Sequence, residues 1–192
     1  RPLLTDRAED VQKAEKIILP GVGAFETGIN HLNNKGLSTV LRDASEGGRH
    51  ILGICLGMQL LMSESEELGR WKGLDVIPGK VVNFDPPGPG ERFKIPHMGW
   101  NSLYPCPSNA GGSAGTWKGT VLDGVREDSC MYFIHSLCVR SDDPGHSLAM
   151  TDYGRNSFSS VVRKKNTIGC QFHPERSSID GIRVLENFLL MK

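Results

Sequence analysis

No apolar stretch in the 192 residues approaches the roughly 20 that a membrane-spanning helix needs. Neither sign of charge is in excess, with 22 Lys and Arg against 22 Asp and Glu. With no basic run either, the chain has no electrostatic footprint for nucleic acid or an anionic membrane. Paired cysteines are missing as well. Cys55, Cys106, Cys130, Cys138 and Cys170 form no CxxC pair and no Cys/His metal-ligand spacing. An odd number of unpaired thiols fits a reducing compartment, taken as the cytoplasm. A fixed-period repeat, an initiator Met and the basic-then-apolar build of a signal peptide are all absent. What remains is one globular domain over 1–192, with 38% hydrophobic residues, acting on a small molecule or a protein partner.

A short polar helix is predicted over 6–14. Lys16-Ile17-Ile18-Leu19 reads as a buried strand halted by Pro20-Gly21-Val22-Gly23, and His50 to Ile54 reads as another. Helices over 24–33 and 37–46 lie between them, and strand, helices, strand is the rhythm of a parallel α/β sheet. A further helix is predicted over 56–63. From Gly79 onward, short strands at 80–84, 100–104, 131–134, 147–153 and 158–163 predict an antiparallel addition. Segments 85–91 and 108–119, rich in Gly, Pro or Ser, predict loops. A last strand at 168–172 precedes a helix over 180–191, with Ile182, Leu185 and Leu189 at helical spacing on one face.

Gly53-Ile54-Cys55-Leu56-Gly57 has the form G-x-nucleophile-x-G between a strand and a helix. That is the nucleophile elbow with Cys in place of Ser. Its glycines permit a sharp turn, and free N–H groups at the helix start favour a thiolate. Most free cysteines are simply small buried hydrophobes, so Cys55 alone is ambiguous. Gly169-Cys170-Gln171-Phe172-His173-Pro174-Glu175 supplies the counterpart. In an extended segment residues two apart face the same way, so Glu175 can orient one imidazole nitrogen of His173 while the other faces a thiol. Cys, His and Glu then form a nucleophile, a base and an orienting acid. Gly21, Val22 and Gly23 end a neighbouring strand, where backbone N–H groups, together with that of Leu56, can face developing negative charge.

P-G-x-G, G-x-C-x-G-x-Q and a late H-P-E, standing here as Pro20 to Gly23, Gly53 to Gln59 and His173 to Glu175, resemble the triad-type, class I glutamine amidotransferases. With Pro96-His97-Met98-Gly99-Trp100-Asn101 added, the chain is similar from about Asp6 onward to the glutaminase subunits of imidazole glycerol phosphate synthases. The resemblance implies a flavodoxin-like fold, with a central, mostly parallel sheet flanked by helices and an antiparallel addition. It implies L-glutamine as substrate, no metal and no cofactor. Cys55 is then the nucleophile, His173 the base and acid, and Glu175 its partner, while Gln59, Ser136 and Leu137 line the glutamine site. It also implies a (β/α)-barrel cyclase, separate or fused, that receives ammonia and makes imidazole glycerol phosphate and an aminoimidazole carboxamide ribotide for histidine biosynthesis. His97, Met98, Trp100 and Asn101 would lie near that interface.

Two departures keep other readings open. His135-Ser136-Leu137 stands where His-Ser-Tyr is expected, and the Gly-rich stretch from Ser108 to Gly119 is unusual. A glutaminase serving a sugar or surface-polysaccharide synthase, a non-catalytic binding relative, and a cysteine hydrolase of γ-glutamyl peptides are the alternatives. Family members carry a strand and helix ahead of the equivalent of Asp6. Their absence predicts a chain that lacks roughly one βα unit, on the order of 30 residues.

Overall fold

The structure is a computed structural model, and it describes residues 2–109 and 117–192. Residues 110–116 of the expected 108–119 loop lie outside the described residues. Helix α1 (Ala8–Lys13) leads into strand β1 (Lys16–Gly21). Helices α2 (Phe25–Asn34) and α3 (Leu37–Glu46) follow, and β2 (His50–Cys55) runs directly into the short helix α4 (Leu56–Leu60). The next strands are β3 (Met62–Ser65), β4 (Trp71–Lys72), β5 (Ile77–Asn83), β6 (His97–Ser102) and β7 (Tyr104–Pro105). After them come β8 (Cys130–His135), β9 (Leu137–Ser141), β10 (Ser147–Tyr153), β11 (Asn156–Lys164) and β12 (Thr167–Cys170), and helix α5 (Ser178–Leu190) closes the order.

The six-stranded sheet runs β1-β2-β12-β11-β10-β7. Strands β1, β2 and β12 are mutually parallel, whereas β12, β11, β10 and β7 pair antiparallel. Pro20 is tolerated in β1 because that strand pairs on one side only, where a missing N–H breaks no ladder. Strand β2 is buried throughout, as its unbroken apolar run demands. Ile51 packs with Phe25, Ile29 and Leu41 on one face, and Leu52 and Ile54 pack with Phe172, Val184 and Phe188 on the other. Each such side chain contributes about 1.5–3 kcal/mol by leaving water. Two smaller sheets, β4-β3-β5-β9 and β6-β8, complete the architecture.

Two expectations are corrected, and one segment without a predicted element gains one. The helix predicted over 56–63 stops at Leu60, because Met62 to Ser65 finds ladder partners in β4 and β5. The segment from Leu137 is a strand of its own paired with β5. On α5, Ile182 and Leu189 are exposed, and Gly181, Val184 and Phe188 are the buried face. Gly181 lies against the Pro174 carbonyl, so the helix approaches closely at that residue while Val184 and Phe188 enter the core beside it. What matters for chemistry is the common edge: Gly21 is opposite Cys55, and Cys170 is opposite Ile54.

Candidate active site

Cys55 sits at the hinge between β2 and α4 with φ 53 and ψ −110, a conformation that a residue with a side chain adopts only under strain. Close packing holds it there. A Cβ built on Gly53 would lie 2.7 Å from the backbone of Gly57 and Met58, and one on Gly57 would fall inside the Leu19 carbonyl. Both positions of the G-x-C-x-G motif thus require glycine, and the turn thrusts the thiol toward the sheet edge.

His173 lies three residues beyond the end of β12, the strand next to β2 in the sheet. Its backbone N–H donates to the Tyr132 carbonyl at 2.9 Å, and the fully buried Ser177 hydroxyl donates to its carbonyl at 2.6 Å while accepting from the Tyr132 N–H at 2.9 Å. Pro174 opens a single 3-10 turn, Pro174–Arg176. Glu175 therefore reaches its partner from a turn, and not from the extended segment expected. Its Oε1 stands 2.9 Å from His173 Nδ1, which fixes the N–H on Nδ1 and leaves Nε2 with a lone pair. That Nε2 is buried and has no hydrogen-bond partner among the described residues, an arrangement suited to taking up and releasing a proton.

Residues 4–192 match the family described as glutamine amidotransferase class-I. The chain belongs to that family. Among its relatives, the imidazole glycerol phosphate synthase subunit HisH of Chlorobaculum tepidum is 40% identical over 97% of this chain and 86% of the relative. The subunit of the same name from Sulfurimonas denitrificans is 41% identical over 91% and 78%. Among solved structures, one titled as a glutamine amidotransferase superposes with a TM-score of 0.66 at 18% identity, covering 97% of this chain and 85% of that one. PurLQS from Thermotoga maritima reaches 0.58 at 16% identity, covering 90% and 78%. At such identities the structural likeness concerns the fold alone.

In this class I amidotransferase the thiol is not pre-ionised. Burial pushes Cys55 up to about 11, outweighing the hydrogen bonds from the Leu56 N–H and the Gln171 amide that favour the anion, and the nearby Glu175 charge adds to the rise. The helix start is thus weaker than desolvation, contrary to the sequence expectation. The thiol points toward the Ile134 carbonyl at 3.9 Å and accepts from Gln171 Nε2 at 3.7 Å. An acid whose charged form is disfavoured stays protonated until the pH nears its raised value. Alkylation of Cys55 by iodoacetamide should therefore keep accelerating from pH 9 toward 11; a plateau by about pH 9, near the value of a free thiol, would show that the thiol is not held neutral.

Gln171 went unassigned at the sequence level. Its only sequence signal is a polar amide set in an apolar run two residues before His173, and the fold buries it completely. Gln59 is buried too, and its Nε2 donates to Gln171 Oε1 at 3.1 Å and to the Leu137 carbonyl at 3.4 Å. Ser136 is exposed and Leu137 buried, immediately after Ile134 and His135. Gly21 packs on the start of α4, 3.0 Å from Leu56 by its virtual Cβ, while Val22 projects into solvent at 80% exposure. Of the four expected interface residues, Met98 and Trp100 are exposed, at 59% and 55%, but His97 is 2% exposed. Alternation along β6 sends His97 inward to a stack on Phe133 and Tyr153. Asn101, on the same face, donates to the Asp152 carbonyl at 2.8 Å. No helix among the described residues is long and apolar enough to cross a membrane.

Proposed function

We propose that this chain is the glutaminase of an imidazole glycerol phosphate synthase, hydrolysing L-glutamine to glutamate and handing the ammonia to a (β/α)-barrel cyclase. The observation that carries the reading is the elbow at the end of β2 beside a Glu-oriented histidine beyond the end of β12, on neighbouring parallel strands. The naming of the relatives at about 40% identity supports the acceptor pathway.

His173 Nε2 takes the proton of the Cys55 thiol as glutamine binds, and the sulfur attacks the side-chain amide carbon. The Leu56 N–H and those of Gly21 to Gly23 bind the oxyanion. His173 returns the proton to the leaving nitrogen, ammonia departs, and a thioester remains. Water activated by the same imidazole then releases glutamate. Ser136 and the backbone at Leu137 border the substrate, and Gln59 stiffens that border. No metal or cofactor enters these steps, and the five free thiols are in keeping with the cytoplasm.

Ammonia loose in neutral water is mostly protonated and no longer a nucleophile, so the product must pass directly into a docked acceptor. The Trp100 ring meets Tyr132 edge-on with centroids 6.0 Å apart, and the Tyr132 carbonyl holds the His173 backbone. The exposed Trp100 is thus linked through Tyr132 to the residue that releases ammonia, and Met98 is exposed two residues before Trp100 on β6. Glutamate release by the full-length protein, measured with and without the cyclase and its phosphorylated ribulosyl substrate, should rise only with that pair. An equal rise with the partner of a different synthase would reassign the pathway. Trp100→Ala should weaken cyclase binding about 10-fold or more, and an unchanged dissociation constant would remove this surface from the interface.

A further inference from the structure

A continuous chain of hydrogen bonds links β6 to the thiol. Asn101 Nδ2 lies 3.4 Å from His97 Nε2, His97 Nδ1 lies 3.1 Å from His135 Nε2, and His135 Nδ1 lies 2.7 Å from the Leu137 carbonyl. That carbonyl accepts from Gln59, Gln59 donates to Gln171, and Gln171 donates to Cys55 Sγ. Every proton in it has one place. A carbonyl only accepts, so His135 carries its hydrogen on Nδ1. Its Nε2 is then an acceptor, His97 must donate from Nδ1, and His97 Nε2 accepts from the Asn101 amide.

We propose that His97 and His135 are positioning residues for the Cys55 nucleophile, holding the Leu137 carbonyl, and through it the Gln59 and Gln171 amides, so that an N–H faces the sulfur. A flipped Gln171 amide would present oxygen to a thiolate and oppose its formation. The other tautomer of His135 would aim a lone pair at the Leu137 carbonyl and push it away from Gln59. His97 forbids that tautomer by donating to Nε2. Phe133, Phe158, Phe84 and Tyr153 surround the two rings. Burial among them drives His97 down to about 4 and His135 down to about 3, so both are neutral at neutral pH.

This assignment rests on Cys55 being the nucleophile. His97→Phe keeps the stacked ring and loses the donor; His97→Asn loses the ring and keeps a donor. In the full-length protein with its partner, His97→Phe should lower kcat for glutamate release about 10–100-fold, in line with other losses of an orienting partner, with KM for glutamine changed less than about 3-fold. His97→Asn should recover most of the rate. A merely structural role predicts the reverse order, so His97→Phe turning over as fast as His97→Asn overturns the proposal. Nitrogen-15 shifts of the unsubstituted protein at neutral pH give a reading free of folding defects: protons on Nδ1 of both rings support the chain, and a proton on His135 Nε2 overturns it. Activity surviving in Cys55→Ala would overturn the nucleophile itself, an outcome the tautomer measurement leaves separate.

Discussion

Cys55→Ala is expected to lower glutamate release by on the order of 10⁴-fold or more while leaving the protein folded. In the proposed mechanism the sulfur forms the covalent bond, and in nucleophile–base–acid sites loss of the nucleophile alone removes nearly all that the set achieves. Residual turnover would come only from water attacking a glutamine polarised by the Leu56 and Gly21 to Gly23 N–H groups. Folding should survive, since the β-carbon stays and the elbow is held by Gly53 and Gly57 packing, not by the thiol, whose contacts with Ile134 and Gln171 are long. Glutamine affinity should be similar or slightly higher, because a buried polarisable group is replaced by a smaller one at the reacting carbon. Rapid-quench assay of glutamate, with circular dichroism as the folding control, decides it. Turnover within about 10-fold of the unsubstituted protein would show that another group attacks the amide.

Local motifs exposed the elbow and the His173–Glu175 pair in the sequence because each is made of residues close along the chain. Gly53 and Gly57 flank the cysteine, and a proline fixes the turn between the histidine and its carboxylate. The parallel arrangement of β1 and β2 followed from apolar runs bounded by glycine and proline, whereas the parallel pairing of β12 with β2 is seen only in the fold. Features set by packing were hidden. Whether the Cys55 thiol is ionised depends on how completely distant segments desolvate it, and burial won over the helix start. The inward turn of His97 is a register property of β6 against β8, where it stands opposite His135; composition could not separate it from the outward Met98 and Trp100. Met62 to Ser65 has enough helix-forming character to extend α4, yet its pairing with β5 and the Glu64–Lys80 contact at 2.7 Å exist only once residues 16 positions away are in place. Strand preference is largely a matter of such neighbours. The division between β8 and β9 turns on Ser136 alone, a break too short to disturb any periodicity.

The second large effect concerns backbone contact, and Gly57→Ala is expected to be among the most destabilising single-methyl changes in the chain. A Cβ at that position overlaps the Leu19 carbonyl, and Leu19 is a β1 residue registered opposite Gly53 of β2. Neither partner is the far end of a flexible side chain. Relief requires β1 to part from α4, breaking the parallel ladder that carries Gly21 alongside Cys55, or requires α4 to shift and drag the elbow with it. Overpacking of this kind costs about 1–3 kcal/mol in adaptable cores and more where only backbone can move; about 3 kcal/mol or more is expected here. For a domain of this size that lowers Tm by roughly 6–12 °C. Glutaminase activity should fall even below the melting range, since either relaxation changes the distance between the thiol and the oxyanion donors. Gly36→Ala serves as the comparison: Gly36 needs an unusual backbone, at φ 68, but has no heavy atom within 4 Å of its virtual Cβ. That substitution should cost only the left-handed strain of about 1–2 kcal/mol and leave turnover intact. If calorimetry finds Gly57→Ala melting within about 2 °C of the unsubstituted protein, the close approach of β1 to the elbow does not hold the nucleophile in place.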